Sequence, residues 1–517
     1  MTNTQKVAQS AAMIAIFTLI SKFLGFLREI LIAYTYGSGY ETDTYFLAMT
    51  ATVIVMTIVG AALNTTLVPI FTEIDKKSGK EGKLKFLNNI LNMVFFLTII
   101  LALLGFVLSP KVIKILARGF EGEQFQLAVK LNRIGLPIII FLGFTYVFSG
   151  YLHSSEIFGP PAIMGLPYNL VFIIFMVFFA KEGQIEGLML VSVIAASTQF
   201  LIQVPAIKHQ GYKYSLDIDL KDPYLRKALF LVIPVLIGSA VHQLNTIVDK
   251  TLASSLVEGS ISALTYASRI NDLIISVFVM AITTVVYPML AKAFNDEDYL
   301  QVKKIMGLGI NIILIITVPA TIGILILSEP MIKIFFQRGA FTETATIMTS
   351  KALVFYSIGL IGSSIRMLLN RVYYSFQDTR SPMINGITGV AANIGLNLLL
   401  IDSMGHAGLA LATSISTTFA SLLLFINLRK QLGKIGLKQY LICFFKSLLA
   451  SIIMGIVVYL MYFKLTPLLP SLWIVQLLML LLSVGVGVVL YIILCSALGI
   501  REMRILIATL VKKLKAK

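Results

Sequence analysis

The sequence predicts an all-α polytopic membrane protein, and three observations predict it. First, 57% of the 517 residues are hydrophobic and only 13% are charged, where a soluble chain carries about 25% charged residues. Mean hydropathy is +0.90. Second, the apolar residues gather in runs of about the 20 positions that a bilayer-spanning helix needs. Third, parts of the chain recur at one constant offset.

Fourteen apolar stretches are expected as transmembrane helices. They run at about 8–35, 43–73, 86–109, 126–152, 157–180, 184–207, 224–256, 259–292, 302–327, 342–376, 383–403, 406–428, 439–463 and 470–498. Backbone in lipid must bond to itself, so runs of this length read as helices. An even number of spans puts both termini on one side.

The first stretch holds the most unusual residues. Within SKFLGFLRE, Ser21, Lys22, Gly25, Arg28 and Glu29 share about a third of the helical circumference, and Phe23, Leu24, Phe26, Leu27 and Ile30 take the other side. A charge facing lipid at mid-bilayer costs about 2.5–3.5 kcal/mol on insertion scales. A polar stripe lining a cavity avoids that cost, and Gly25 would let a backbone or a bulky substrate approach. A Lys22/Arg28–Glu29 cluster that only ties helices together is the alternative.

The net charge of +17 has a topological reading. Lys76, Lys77, Lys80, Lys83 and Lys85, then Lys208, Lys213, Lys221, Arg226 and Lys227, lie on the side of the N-terminus. So do Lys292, Lys303, Lys304, Arg429, Lys430, Lys434, Lys438 and the basic tail 501–517. The positive-inside rule then makes both termini cytoplasmic. Lipid headgroups satisfy such charges, so no nucleic-acid partner is expected. The first run is too long for a cleaved signal peptide. The four histidines are scattered, Cys443 and Cys495 sit in apolar runs, and no HExxH, CxxC or phosphate-cradling loop occurs. Nothing points to an enzyme.

The repeat sets the architecture. SPKVIKILARGF, from Ser109, recurs as EPMIKIFFQRGAF, from Glu329, and Arg118 and Arg338 lie 220 positions apart. Pro69 and Pro288 are 219 apart, and Pro161 and Pro382 are 221 apart. Six helices separate the equivalent segments, so the repeats are parallel, related by a pseudo-two-fold along the membrane normal. Two six-helix lobes are expected, 1–215 and 216–432, with two further helices over 433–500 as a candidate lipid-tail groove. Transporters built this way bind between the lobes.

Further polar stripes occur in the second repeat. His242, Asn245, Thr246 and Asp249 share a face in the seventh stretch. Ser262, Thr265, Arg269, Asp272 and Ser276 do so in the eighth, and Ser363, Arg366, Asn370, Tyr374 and Gln377 in the tenth. Interhelical hydrogen bonding accounts for the neutral residues. Arg269 and Arg366 read as functional, since an embedded charge marks a site. Lys22, Arg28 and Arg269 together suit an anionic substrate such as a diphosphate.

SKFLGFLREILIAYTYG, TDTYFLAM, LVPIF, YASRI, RGAF and FYSIGLIG resemble the MurJ/MviN family of lipid II flippases, within the multidrug/oligosaccharidyl-lipid/polysaccharide exporter superfamily. The resemblance runs over about residues 5 to 430. It implies a bacterial plasma-membrane transporter that moves lipid II, the undecaprenyl-diphosphate-linked peptidoglycan precursor, to the outer leaflet. Membrane lipids and the cell-wall synthesis machinery are the further partners it implies. Ser21, Gly25 and Arg28 match the family's first-helix motif, with Lys22 where many members have Arg and Glu29 where many have Asp. Asp43 and Arg269 match further family positions. The resemblance also implies a sodium site from Asp249, Asn393, Asn397 and Thr413, although some members carry an acid at position 397. One departure stands out: many members have an arginine in the second helix, whereas no Lys or Arg lies between Arg28 and Lys76 here. Another lipid-linked saccharide of capsule or teichoic type is the alternative substrate. A cation-coupled drug exporter and a non-transporting scaffold are the rival classes.

Overall fold

The computed structural model describes residues 3–181 and 183–504, leaving aside the side chains of 3–13, 15, 234, 237, 238, 241 and 242. His242 and most of the basic tail therefore lie outside the described residues. The described residues are mostly helical, joined by short turns and one extended link after His209. Among the described residues, ten helices are long and apolar enough to cross a membrane, or eleven if one pair bent by 46° counts as a span. That count takes the second and third expected stretches together, because the two helices meet at a kink.

The second and third stretches are the clearest case. Following α1 (Asn3–Tyr36), α2 runs from Tyr40 to Leu116 and carries both the second and third stretches. They are two helices that meet at Gly79, whose φ of 64° and ψ of −167° are non-helical and left to glycine. Lys83 closes the kink. It is buried, and its ammonium donates to Ser155 Oγ at 2.8 Å and Asp75 at 3.3 Å, 4.9 Å from the Tyr151 ring. Other stretches are broken instead: α3 (Gly122–Gly135) and α4 (Ile138–Ser154) divide at Pro137. The short α5 (Gly159–Ile163) precedes α6 (Gly165–Phe178), and α7 (Ile185–Leu201) precedes α8 (Val204–His209). Next come α9 (Pro223–Ala253) and α10 (Ser260–Ile274), which passes through a π turn at 275–279 into α11 (Met280–Asn295). The remainder is α12 (Tyr299–Phe335), the bent pair α13 (Glu343–Ile358) and α14 (Leu360–Ser375), α15 (Arg380–Met404), α16 (His406–Leu432), α17 (Leu437–Tyr459) and α18 (Trp473–Ala497). Between α17 and α18 the chain makes a π turn at Leu460–Leu465 followed by one 3₁₀ turn at Thr466–Leu468.

Packing divides the chain into two compact units. One is Met1–Ser262 with Arg338–Phe341; the other is Ala263–Gln337 with Thr342–Lys517. In the first, α2 packs on α3, α4 and α9, while α1 packs on α6. Its core includes Leu67, Phe71, Phe86, Leu87, Val147 and Tyr151. In the second, α12 packs on α11, α13, α14 and α17. Here Leu290, Met306, Ile313, Leu368, Leu424 and Tyr491 are buried together. Hydrogen bonds tie α18 to α12, from Trp473 Nε1 to Ile334 O at 3.1 Å and from Tyr491 Oη to Ile315 O at 2.9 Å. Many exposed side chains are large and apolar, among them Leu103, Val107, Phe178, Leu399 and Leu468, as lipid contact requires.

The link from α8 to α9 explains why α9 belongs with the first unit. An asparagine face on the second half of α2 holds the extended link along its length. Asn88 donates to Lys213 O at 3.0 Å and accepts from Ser215 N at 3.2 Å. Asn92 donates to Ser215 O and Asp217 O at 2.9 and 3.0 Å. Asn89 both donates to Asp219 O and accepts from Asp219 N, each at 2.9 Å. Asp222 then caps α9, accepting from Tyr224 N at 2.8 Å. Side-chain amides here do what a neighbouring strand would do for an extended backbone.

Candidate functional site

Ser21, Gly25 and Arg28 lie at spacings of four and three and share one face of α1. That face packs on α6, and Asn169 is the hub. Its Nδ2 donates to Ser21 O at 3.1 Å and Gly165 O at 2.8 Å, and its Oδ1 accepts from Arg28 Nη1 at 3.2 Å. A Cβ at Gly25 would stand 3.7 Å from the same amide. The group that Gly25 admits is therefore the Asn169 side chain. Ser21 presses on Gly165, where any Cβ would strike its hydroxyl.

Arg28 Nη2 pairs with Glu29 Oε1 at 2.6 Å. Its guanidinium lies 5.1 Å from the centre of the Phe172 ring and 5.5 Å from that of Tyr168. Side-chain exposure is 16% for Arg28 and 3% for Glu29. A buried charge pair persists where hydrogen bonds and ring faces offset lost hydration. Lys22, by contrast, is exposed. The single polar stripe read from the sequence thus splits. Lys22 is open to solvent, while the rest form a packed constellation at α6.

Asp43 is 3% exposed. One carboxylate oxygen accepts from Gly259 N at 2.8 Å, the other from Ser262 N at 2.7 Å and Ser262 Oγ at 2.6 Å. A carboxylate at the N-terminus of α10 is favoured by the free N–H groups there. Asp43 thus holds two helix starts together.

Two loops beside it contact helix ends in a reciprocal way. Gly119 N donates to Ser254 Oγ at 3.3 Å, at the end of α9. Ala340 N donates to Tyr34 O at 2.8 Å, at the end of α1. A Cβ at Gly119 would strike the Ser254 carbonyl, and one at Gly339 would strike the Tyr34 carbonyl. Gly119 and Gly339 are 220 positions apart, as are Tyr34 and Ser254. Each Arg-Gly loop therefore docks on the helix that its counterpart does not. Phe120 and Phe341 behind them are buried.

The other expected residues are placed as follows. Asp249 is half-buried on α9, in the first unit. In the second unit, Arg269 is exposed on α10, shortly before the π turn. Arg366 is half-buried on α14, with Nη2 3.6 Å from where a Cβ on Gly386 would lie. Asn393, Asn397 and Thr413 do meet: Asn397 Nδ2 donates to Asn393 Oδ1 at 3.0 Å, and Asn393 Nδ2 to Thr413 Oγ1 at 3.3 Å. Both asparagines are fully buried. Among the described residues there is no cluster of three or more His, Cys, Asp or Glu placed to hold a metal.

Two residues went unnoticed in the sequence. Asn169 is a lone amide in an apolar run, GLPYNLVFI, and that isolation was its only signal. Lys250 follows Asp249; its ammonium reaches across to α2, donating to Phe46 O at 3.0 Å and Thr50 Oγ1 at 2.7 Å. It brings a cation to a helix whose first half has none.

The comparisons with known proteins bear on this arrangement. Residues 32–483 match the family model described as "Lipid II flippase MurJ". A probable lipid II flippase MurJ of Rickettsia prowazekii is 30% identical, over 82% of this chain and 84% of its own. The lipid II flippase MurJ of Burkholderia cenocepacia is 27% identical, over 80% and 82%. A solved lipid II flippase MurJ in an inward closed conformation superposes with a TM-score of 0.78 at 27% identity, covering 94% of this chain and 98% of that one. An inward-facing multidrug transporter of the MATE family shares the fold at TM-score 0.66 and 16% identity, over 81% of this chain and 98% of its own.

Proposed function

The chain belongs to the lipid II flippase MurJ family, and from that premise we propose that it carries lipid II from the cytoplasmic to the outer leaflet by alternating access. The match over residues 32–483 carries the reading. The two lobes of the sequence repeat are the moving bodies in this proposal, and the reciprocal contacts at Gly119 and Gly339 support a two-fold relation between them. Asp43 and the two Arg-Gly loops close the face at the C-terminal ends of α1 and α9. With both termini cytoplasmic, that face is the outer one.

Lys22, exposed and cationic, is the first contact for the diphosphate. Arg28 is held ready by Asn169, Glu29 and the two rings, its planar fork suited to phosphate oxygens. Lys250 supplies α2 with the positive charge that the stretch from Arg28 to Lys76 lacks. Arg269 and Arg366 are proposed as contacts on their own account. Asp249, Asn393, Asn397 and Thr413 offer hard oxygen donors of the type sodium takes, although no step is routed through an ion. The α17–α18 pair is read as a surface for the lipid tail.

The absent second-helix arginine favours a second reading, transport of another lipid-linked saccharide. One experiment separates the two. In a strain depleted of its own lipid II flippase, this chain should restore growth, and the purified protein should move lipid II across vesicles. Growth that fails while another diphosphate-linked saccharide is moved would select the second reading. Collapsing an inside-negative potential should slow transport of the anion, since about 2.3 kcal/mol per charge per 100 mV is at stake.

A further inference from the structure

One cavity of the first unit takes no part in the arrangement above. It holds about 430 Å³ between the second half of α2, α4, α7, α8 and the start of the link to α9. Its wall is an aromatic chain. Phe95 and Phe144 lie 5.6 Å apart between ring centres, Phe144 and Phe200 5.1 Å, Phe148 and Phe200 5.2 Å, and Phe148 and Tyr212 6.2 Å. Protein interiors pack densely, with few voids larger than a water molecule. A space of several hundred Å³ with apolar walls and a few polar groups is the form of a ligand site.

The polar groups say what the ligand must bring. Asn92 lines the cavity and is 1% exposed. Its amide nitrogen is committed to Ser215 O and Asp217 O, which fixes the orientation of the side chain. The Asn92 Oδ1 and Tyr212 Oη atoms are closed off from the cavity space, so the walls that the ligand meets are the apolar ring faces. Lys208 stands exposed at the rim, and a cation there favours a ligand with an anionic end. Asn92 and Tyr212 border the link, while Phe95 and Phe144 line the far end. The polar end of the ligand therefore lies at the link and its apolar end runs inward. At about 30 Å³ for a water-sized unit, the space suits one acyl chain.

We propose that this cavity binds an anionic membrane phospholipid, such as phosphatidylglycerol, by one of its acyl chains. The net negative headgroup meets Lys208, where the choline cation of a zwitterionic lipid would offset the phosphate, and one acyl chain fills the aromatic slot.

The test is native mass spectrometry of the full chain in detergent, with equimolar phosphatidylglycerol and phosphatidylcholine of identical acyl chains. Wild type should retain phosphatidylglycerol about fivefold over phosphatidylcholine, the size of one exposed ion pair. Lys208→Glu, at an exposed position, should bring that ratio to about one. Phe144→Trp, which fills the slot, should cut retention of phosphatidylglycerol in a protein that still melts cooperatively. Equal retention of the two lipids by wild type overturns the proposal, as does a preference that survives Lys208→Glu. Should Phe144→Trp not fold, the Lys208→Glu comparison decides alone. Lipid II transport is not the readout, so this result stands apart from the transport assay.

Discussion

At the scale of single residues, the polar chemistry of α1 rests on Asn169. It gathers Ser21, Gly165 and Arg28 onto one amide. Asn169→Leu should leave the Arg28 guanidinium short of an acceptor and cost about 1–3 kcal/mol, read as a lower melting temperature with transport reduced. Arg28→Ala should cost more, about 3–5 kcal/mol, because it removes the ion-pair partner of the buried Glu29 carboxylate. If Arg28→Met with Glu29→Gln recovers stability but not transport, Arg28 serves the substrate; recovery of both would make it structural. A second residue-level prediction concerns acid. Asp378 lies in the turn between α14 and α15. Burial alone would raise its carboxyl, but the hydroxyl and N–H of Ser381 and the Gln431 amide outweigh that and hold it below the usual carboxylate range. A lowered value means its stabilisation is complete above the ordinary carboxylate pKa of about 4 and is lost as pH falls through the folded value. Asp378→Ala should therefore lower stability by about 0.5–2 kcal/mol at neutral pH, and melts between pH 6 and pH 3 should show the gap to wild type closing. The residue scale is also where the sequence was hardest to read. Arg28 stood out because a charge in an apolar run is rare. Asn169 and Lys250 act through contacts with residues more than a hundred positions away, which no local spacing reports.

At the scale of elements, the two Arg-Gly loops are the most specific devices. Their glycines are needed for approach, since a side chain at either would meet backbone rather than a movable group. Gly339→Ala and Gly119→Ala should each push the loop off its helix end, at about the 1–3 kcal/mol of an overpacked contact. In a chain lacking Cys443 and Cys495, maleimide labelling of Ser38→Cys from the outer side should then rise severalfold. Unchanged labelling in both variants would mean that these contacts do not hold the outer face closed. The repeat itself was legible in the sequence as two RG-F elements, whereas the exchange of their docking partners was not. An offset shows that two segments are equivalent but not what each one touches. Likewise Asn88, Asn89 and Asn92 read as polar interruptions of an apolar helix. Only the folded link, lying along them, shows that they serve an extended backbone.

At the scale of the whole molecule, fold class and family were legible because both are written redundantly, the first in hundreds of apolar positions and the second in motifs spread along the chain. The break between the second and third stretches was legible as the polar, lysine-rich segment around Gly79, where the two helices of α2 meet at a non-helical residue. The charge pattern makes a global prediction. A single cysteine placed at Lys80 should react only with reagents that reach the cytoplasm, and one at Lys181 only with reagents outside. The opposite result would invert the topology and with it the direction of transport.

The exchanged loops also bear on the covalent join. Contacts that pair position 119 with 254 and position 339 with 34 have the form that two identical copies would make about a two-fold axis, each lending its loop to the other. On the proposed two-lobe reading the covalent join is dispensable: fragments 1–215 and 216–517, synthesised together, should find each other in the membrane and restore growth, while neither does so alone.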